Sequence, residues 1–500
     1  MKTKDLICPG IILMVLIFYG RTIRTGQPWG DDFAMYIHEA ENLSQGIPLH
    51  DTGYIYNPYR PVVGPRLYPP VFPAVLIPGY LIGGLQNLTP LKLEIVLFFV
   101  ATLFVLWRGL GADLPPFHRA AMLAAVGFNP VLWSYKDIIM SDILFTLFLY
   151  LALAEADKLL DDPRSVPPRV WRVPLLAILI YLCYGTRTIG IVLIPTLVLL
   201  ALMHWKRGGK SIAWAAGFGL IPCLIQRWLL GGEATYSDQL KSRLPELVTV
   251  VFLNVRTYAW GMSTFWENPY TKVVRDVLLV SVTIFAFFGY FQRVRTGPRM
   301  YEIFLPLYLG VILLWPNSSG ARYLIPLFPL YLYYFFKGIT AIKGWLQVGW
   351  AERALIPLLA LVFLSYGAEF AHMDFGPFKE GIARDESAEL FSFVQSQTSA
   401  KDIFIFVKPR ALSLYTGRSA SIYPDVQNVT QVCRYAESVR ASYLIEAPAL
   451  DDPKFDDFLA RQLPAKRMVF SNSDFRVFHV SPVDLANCTG DPEASNSSKR

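Results

Sequence analysis

The chain has 500 residues, of which 53% are hydrophobic, 14% aromatic and only 17% charged, and its mean hydropathy is +0.37. That balance excludes an ordinary soluble enzyme and describes a polytopic membrane protein. The net charge of +7 and pI near 9.0 do not point to nucleic acid, because the basic residues concentrate in short loops between apolar runs, where they orient helices in a bilayer.

In chain order, Lys2 and Lys4 lead into "LICPGIILMVLIFYG". This has the n- and h-regions of a signal peptide but no small-x-small cleavage site before Arg21 and Arg24, so it reads as an uncleaved first span. Next comes "WGDDFAMYIHEAENLSQG", residues 29–46. Phe33, Tyr36, Ile37, Ala40, Leu43 and Ile47 recur at helical spacing and form an apolar face, with His38, Glu39, Glu41 and Asn42 opposite, which predicts a helix lying in the membrane surface. Asp31 and Asp32 head that helix. Capping explains one acid; a second directly beside it leaves room for a catalytic role.

The stretch "YPPVFPAVLIPGYLIGG" (68–84) is apolar enough to span but is broken by Pro and Gly. Further apolar runs fall near 91–107, 118–134, 138–155, 173–186, 189–205, 211–230, 276–292, 301–315, 322–336 and 354–369, giving about eleven spans. The loops "WRGLGADLPPFHR", "KLLDDPRSVPPRVWR", "KRGGK", "QRVRTGPR" and "KGITAIKGW" carry Lys or Arg and fall on alternate sides of the runs, so all belong in the cytoplasm together. This holds with an internal N-terminus only if 68–84 re-enters or lies in the interface; the alternative is an external N-terminus. The expected architecture is a membrane module over 1–371, with 21–90 as its first outer loop. It is followed by an extracytoplasmic α/β domain over 372–488 and a disordered tail over 489–500. In that domain "RDESAELFSFVQSQ", "RALSLYTG", "QVCRYAESVR" and "DDFLARQ" read as helical, and "KDIFIFV", "ASYLIEA" and "DFRVFHV" as strands. Of the five Cys, only Cys433 and Cys488 lie in polar sequence and could pair.

Three further constellations stand at the outer mouths of spans. In "SYKDIIMSDILF", Asp142 falls at or within an apolar run, with Lys136 and Asp137 nearer water. An ionisable group at membrane depth is either bonded to a neighbouring helix or functional. Arg187 in "CYGTRTIG" and Arg322 with Tyr323 in "NSSGARYLIP" lie on the outer side, against the inward bias of basic residues. Such arginines snorkel to lipid or hold phosphate oxygens with two parallel bonds. Carboxylates and arginines together suit displacement of a phosphate leaving group from a lipid carrier. The chain contains no P-loop, no His-Glu-x-x-His and no G-x-S-x-G.

At these residues the chain resembles the GT-C glycosyltransferases, in the group of protein O-mannosyltransferases and the lipid A aminoarabinose transferase. The likeness rests on "DFAMYIHEAENLSQG", "YPPVFPAVLIPGYLIGG", "MSDILF", "GTRTIGIVLIP" and "ARYLIPLFPLYL", in the family's order, over residues 1 to about 370. It implies a polytopic α-helical membrane enzyme that transfers a sugar with inversion from a polyprenyl-phosphate donor. The acceptor would be a lipid, glycan or protein hydroxyl at the outer face. It further implies Asp32, four residues before Tyr36, as general base, Asp31 as cap or helper, and Asp142 as a second carboxylate near the acceptor or a metal. Arg187 and Arg322 would face the lipid phosphate, with Tyr323 beside them. Aminoarabinose transferases have a Lys directly before Pro-Pro; here that position is Tyr68, and Arg66, two residues earlier, is the candidate for its role. No cofactor is implied, although a divalent metal is compatible with the family. The rival class is a transporter or flippase of a lipid-linked substrate, but the paired halves expected of one are not found.

Overall fold

The computed structural model describes residues 6–161, 171–230, 246–316, 318–346, 350–426, 429–462, 467–482 and 484–485. Its first part is a helical assembly: α1 (Ile7–Arg21), α2 (Asp32–Gln45), α3 (Val71–Gly83), α4 (Thr89–Arg108), α5 (Pro116–Gly127), α6 (Pro130–Tyr135), α7 (Asp142–Asp161), α8 (Arg172–Thr186), α9 (Leu193–Met203), α10 (Lys210–Leu230), α11 (Leu247–Thr264), α12 (Lys272–Thr296), α13 (Met300–Leu314), α14 (Phe328–Leu346) and α15 (Trp350–His372). Helices suit these apolar runs because each satisfies its own backbone polar groups where no water is at hand. Among the described residues four helices are long and apolar enough to cross a membrane, Thr89–Asp113, Trp205–Leu230, Lys272–Thr296 and Arg353–His372, with shorter apolar helices beside them. The Pro-rich run at 68–84 yields only α3, with Pro78 inside it. At about 20 Å it is too short for a hydrocarbon core of about 30 Å.

Helix α12 crosses α14 at Gly289 and Gly338. A Cβ on either glycine would overlap the backbone of the other helix, so small residues set the approach. The basic loops gather at one end of the assembly. Lys337 pairs with Asp113 at 2.8 Å, Arg172 with Glu155 at 2.9 Å and Arg293 with Glu302 at 3.3 Å, while Arg299 donates to the Asp157 carbonyl at 3.2 Å. Helix α7 runs from that end to the other, about 22 Å from Asp157 to Asp142.

Residues beyond 384 add α16 (Asp385–Gln397), β2 (Ile403–Ile405), α17 (Pro409–Thr416), β3 (Ser419–Ser421), α18 (Val429–Ser438), β4 (Tyr443–Glu446), α19 (Pro453–Gln462), β5 (Met468–Ser471) and β6 (Arg476–His479). With β1 (Tyr54–Ile55) they make a six-stranded sheet ordered β1-β3-β2-β4-β6-β5, parallel as far as β4 and antiparallel beyond it. One face is covered by Val432, Tyr435, Phe455 and Leu459 of α18 and α19, the other by Leu390, Phe391, Val394 and Leu412 of α16 and α17. The expected helices and strands are present; β1, β3 and β5, only two to four residues each, are additional. Cys433 is disulfide-bonded, and Cys488 lies outside the described residues.

The edge strand β1 comes from the first loop, pairing Tyr54 with Ala420 and Ile55 with Ser421. Asn57 follows, its amide donating to the Ile422 carbonyl at 2.8 Å. Trp29 inserts edge-on among Phe391, Phe406 and Phe475, with centroids 6.0 to 6.2 Å away. The residues after 372 are therefore tied to the loop that carries the two acids. This also corrects the expectation for α2. Its opposite face is not open to water, because Glu39 and Asn42 are buried, Asn42 donating to the Asp51 carbonyl at 2.9 Å. The helix packs between α3 and α17.

Candidate active site

Asp31 occupies the N-cap position of α2 but makes no side-chain bond to that helix. Its Oδ1 instead accepts from the backbone N–H groups of Arg410 and Ala411 at 3.2 and 3.3 Å. These are unpaired donors of the first turn of α17, so the acid caps a helix nearly 380 residues away.

Asp32, the first residue of α2, faces three donors. Tyr68 Oη donates to its Oδ1 at 2.6 Å, Arg410 Nη1 reaches the same oxygen at 3.3 Å, and Arg322 Nη1 donates to Oδ2 at 2.8 Å. Arg322 stands in a 3-10 turn, Gly320–Leu324, and its Nε donates to Asp142 Oδ2 at 2.9 Å. Asp142 opens α7, and its other oxygen is held by Arg187 Nη1. Arg187 has extended backbone where α8 ends, and its guanidinium lies over the Tyr323 ring at 5.3 Å. The result is an alternating line: Arg187, Asp142, Arg322, Asp32, Arg410, Asp31.

Side-chain exposure along it is 14% for Arg187, 3% for Asp142, 17% for Arg322, 26% for Asp32, 1% for Arg410 and 10% for Asp31. Solvent thus reaches the line best at Arg322 and at Asp32, which lies between Arg322 and Arg410. Burial pushes the Asp31 carboxyl up to about 6, against the opposing pull of Arg410 and Lys408. Burial would raise Asp32 too, but Arg322, Arg410 and the Tyr68 hydroxyl outweigh it and hold Asp32 down at about 2.

Of the residues singled out in the sequence, Asp31, Asp32, Asp142, Arg187, Arg322 and Tyr323 come together. Arg66 does not: it is exposed on the loop before α3 and makes no ion pair among the described residues. Lys136 and Asp137, expected nearer water, are buried and paired at 2.5 Å, with Lys136 also on the Thr22 carbonyl at 2.7 Å. They fasten the strand of chain that leads to the acids. Sequence reasoning missed Tyr68 as a donor, Glu39, whose Oε1 accepts the Tyr68 N–H at 2.8 Å, and Arg410. Helical spacing brings Glu39 onto a covered face, but nothing local marks Arg410. The guanidinium of Arg322 fills the place between Asp32 and Asp142 where a divalent ion would bridge them, so these carboxylates do not fit a metal without displacing it.

No family model matches the sequence, and no curated protein matches it significantly. Solved structures do. An oligosaccharyltransferase, AglB from Archaeoglobus fulgidus in complex with an inhibitory peptide and a dolichol-phosphate, matches with a TM-score of 0.57 at 10% identity, over 92% of this chain and 71% of that one. ArnT from Cupriavidus metallidurans bound to undecaprenyl phosphate matches with a TM-score of 0.56 at 13% identity, over 96% of this chain and 98% of that one. The chain therefore shares the fold of these two membrane proteins.

Proposed function

We propose that the protein is an inverting glycosyltransferase that moves a sugar from a polyprenyl-phosphate-linked donor to a hydroxyl of a lipid, glycan or protein acceptor. The observation that carries this reading is Arg322 held between two carboxylates, with Arg187 on the far side of Asp142. Asp142 orients both guanidinium groups, and Tyr323 backs Arg187. Together they offer two cations to one phosphate. The acceptor hydroxyl loses its proton to Asp32 as its oxygen bonds to the anomeric carbon. The bond from that carbon to the phosphate oxygen breaks, and its electron pair leaves on the phosphate, stabilised by the arginines. A carboxylate held at about 2 is a weak base. Phosphate on Arg322 adds negative charge beside Asp32 and competes for its cation, raising that pKa toward the working range. Binding of the donor therefore activates the base.

The site lies at the end opposite the basic loops, which the positive-inside rule places in the cytoplasm. In this reading the protein is a multi-pass cell-membrane enzyme whose site and C-terminal sheet face outward. The test is transfer by purified protein in nanodiscs from a panel of polyprenyl-phosphate sugars. Asp32→Asn is expected to lower kcat by roughly 10²–10⁴-fold with the fold kept, and unchanged transfer overturns the assignment.

A further inference from the structure

Arg410 belongs to α17, which packs on the C-terminal sheet, yet it is 1% exposed and enclosed by the first loop. Its Nη1 donates to Tyr68 Oη at 2.9 Å and reaches Asp32 Oδ1 at 3.3 Å, its Nη2 donates to the Pro65 carbonyl at 2.9 Å, and its Nε lies 3.7 Å from Asp31 Oδ2. The rings of Tyr54 and Tyr68 flank it at 4.6 and 5.0 Å. Gly64 makes the enclosure feasible. Its φ of +103° is open to glycine, and a Cβ there would stand 3.0 Å from Arg410 Nη2 and 3.1 Å from Tyr68 Oη. The backbone N–H of Arg410 donates to Asp31. One side chain therefore joins the capped helix α17, the first loop and the carboxylate facing the arginines of the membrane module.

We propose that Arg410 is a positioning residue supplied by α17 on the C-terminal sheet, aiming Asp32 through Oδ1 and Tyr68 so that transfer depends on the docking of that sheet and its helix. This rests on the reading of Asp32 as base. Arg322 holds Oδ2 from the membrane side and Arg410 holds Oδ1 from the other, so the carboxylate plane is set only when both are in place. Donor phosphate draws on Arg322, and during that exchange Arg410 is the cation that keeps Asp32 aimed. A planar two-armed donor is needed for contacts with Tyr68, Asp32 and Pro65 at once, which an ammonium does not reproduce. The C-terminal sheet thereby acts as a condition of catalysis, apart from any contact it makes with an acceptor.

The test uses full-length wild type, Arg410→Gln, Arg410→Lys and Gly64→Ala in nanodiscs, with two readouts. The first is transfer from a polyprenyl-phosphate sugar; the second is infrared titration of the Asp32 carboxyl, identified as the band missing in Asp32→Asn. Arg410→Gln is expected to lower kcat about 10- to 100-fold with donor KM within about twofold, and Arg410→Lys and Gly64→Ala to lower it less. The protonated carboxyl band is expected to appear at least about one pH unit higher in Arg410→Gln than in wild type, because a neighbouring cation is gone. A folded Arg410→Gln with unchanged kcat and an unchanged band overturns the proposal. So does a raised donor KM with kcat kept, which would put Arg410 on the donor phosphate. If Arg410→Gln does not fold, unchanged kcat and band in both Arg410→Lys and Gly64→Ala overturn it. A shifted band in a protein whose wild type transfers from no donor supports the positioning and overturns the glycosyltransferase reading instead.

Discussion

Asp31 and Asp32 are adjacent, yet their carboxyls shift in opposite directions: burial outweighs the N–H groups and cations around Asp31, whereas Arg322, Arg410 and the Tyr68 hydroxyl outweigh burial at Asp32. The folded pKa of Asp31, near 6, lies above its unfolded value near 3.8. The folded state therefore holds the extra proton between those values. Its stabilising effect is complete below pH 4 and lost as pH rises through 6. Raising pH from 4 to 7 should lower the stability of wild type relative to Asp31→Asn, by at most about 3 kcal/mol, read as the difference in thermal midpoint at each pH. Asp32 is depressed, so its contribution is present above pH 4 and lost only as pH falls toward 2, outside that window. Arg322 carries the other residue-scale prediction. Arg322→Gln leaves Asp142, almost fully buried, with one cation fewer and Asp32 without its partner on Oδ2. The expected destabilisation is roughly 3–5 kcal/mol, with part regained when Asp142→Asn is added, as a double-mutant cycle in detergent would show. Most of this cluster was legible in sequence because each residue sits at the end of an apolar run, where a charge is conspicuous. Arg410 was not, since its neighbours in sequence are those of an ordinary amphipathic turn and its partners lie more than 340 residues away.

At the scale of elements, the Pro and Gly content of 68–84 matches a short α3, which runs to Gly83 and ends before reaching membrane length. The periodicity of α2 held for Phe33, Tyr36, Ile37 and Ala40, but Gly46 ends the helix and leaves Ile47 outside it and exposed. The apparent polar face misled, because Glu39 and Asn42 bond to the loop folded over them. Amphipathic spacing says which residues share a face, not what covers it. The short strands β1, β3 and β5 were beyond reach for a related reason, as two to four residues carry too little alternation to register. The α12 and α14 crossing yields an element-scale prediction. Gly338→Ala places a methyl against the Phe285 carbonyl and should cost about 1–3 kcal/mol, measured by unfolding in mixed micelles, whereas Gly310→Ala, with open space around it, should cost far less.

For the molecule as a whole, the sheet after residue 384 borrows its edge strand, its helix cap and an aromatic anchor from the first loop, through Tyr54–Ile55, Asp31 and Trp29. Composition separates the polar C-terminal sequence from the apolar helices before it, and this change is visible in the sequence, whereas the stitching back is not. Residues 372–500 expressed alone should unfold at a lower temperature than the same sheet in the full chain, as amide hydrogen exchange in β2 and β3 would register. The central placement is a lipid phosphate on Arg187 and Arg322, with Asp32 facing the sugar it carries. A structure determined with undecaprenyl phosphate in nanodiscs tests this most directly. The predicted result is phosphate density within about 3 Å of both guanidinium groups, with Arg322 drawn from Asp32. Phosphate bound elsewhere, with the line from Arg187 to Asp31 unchanged, would contradict it.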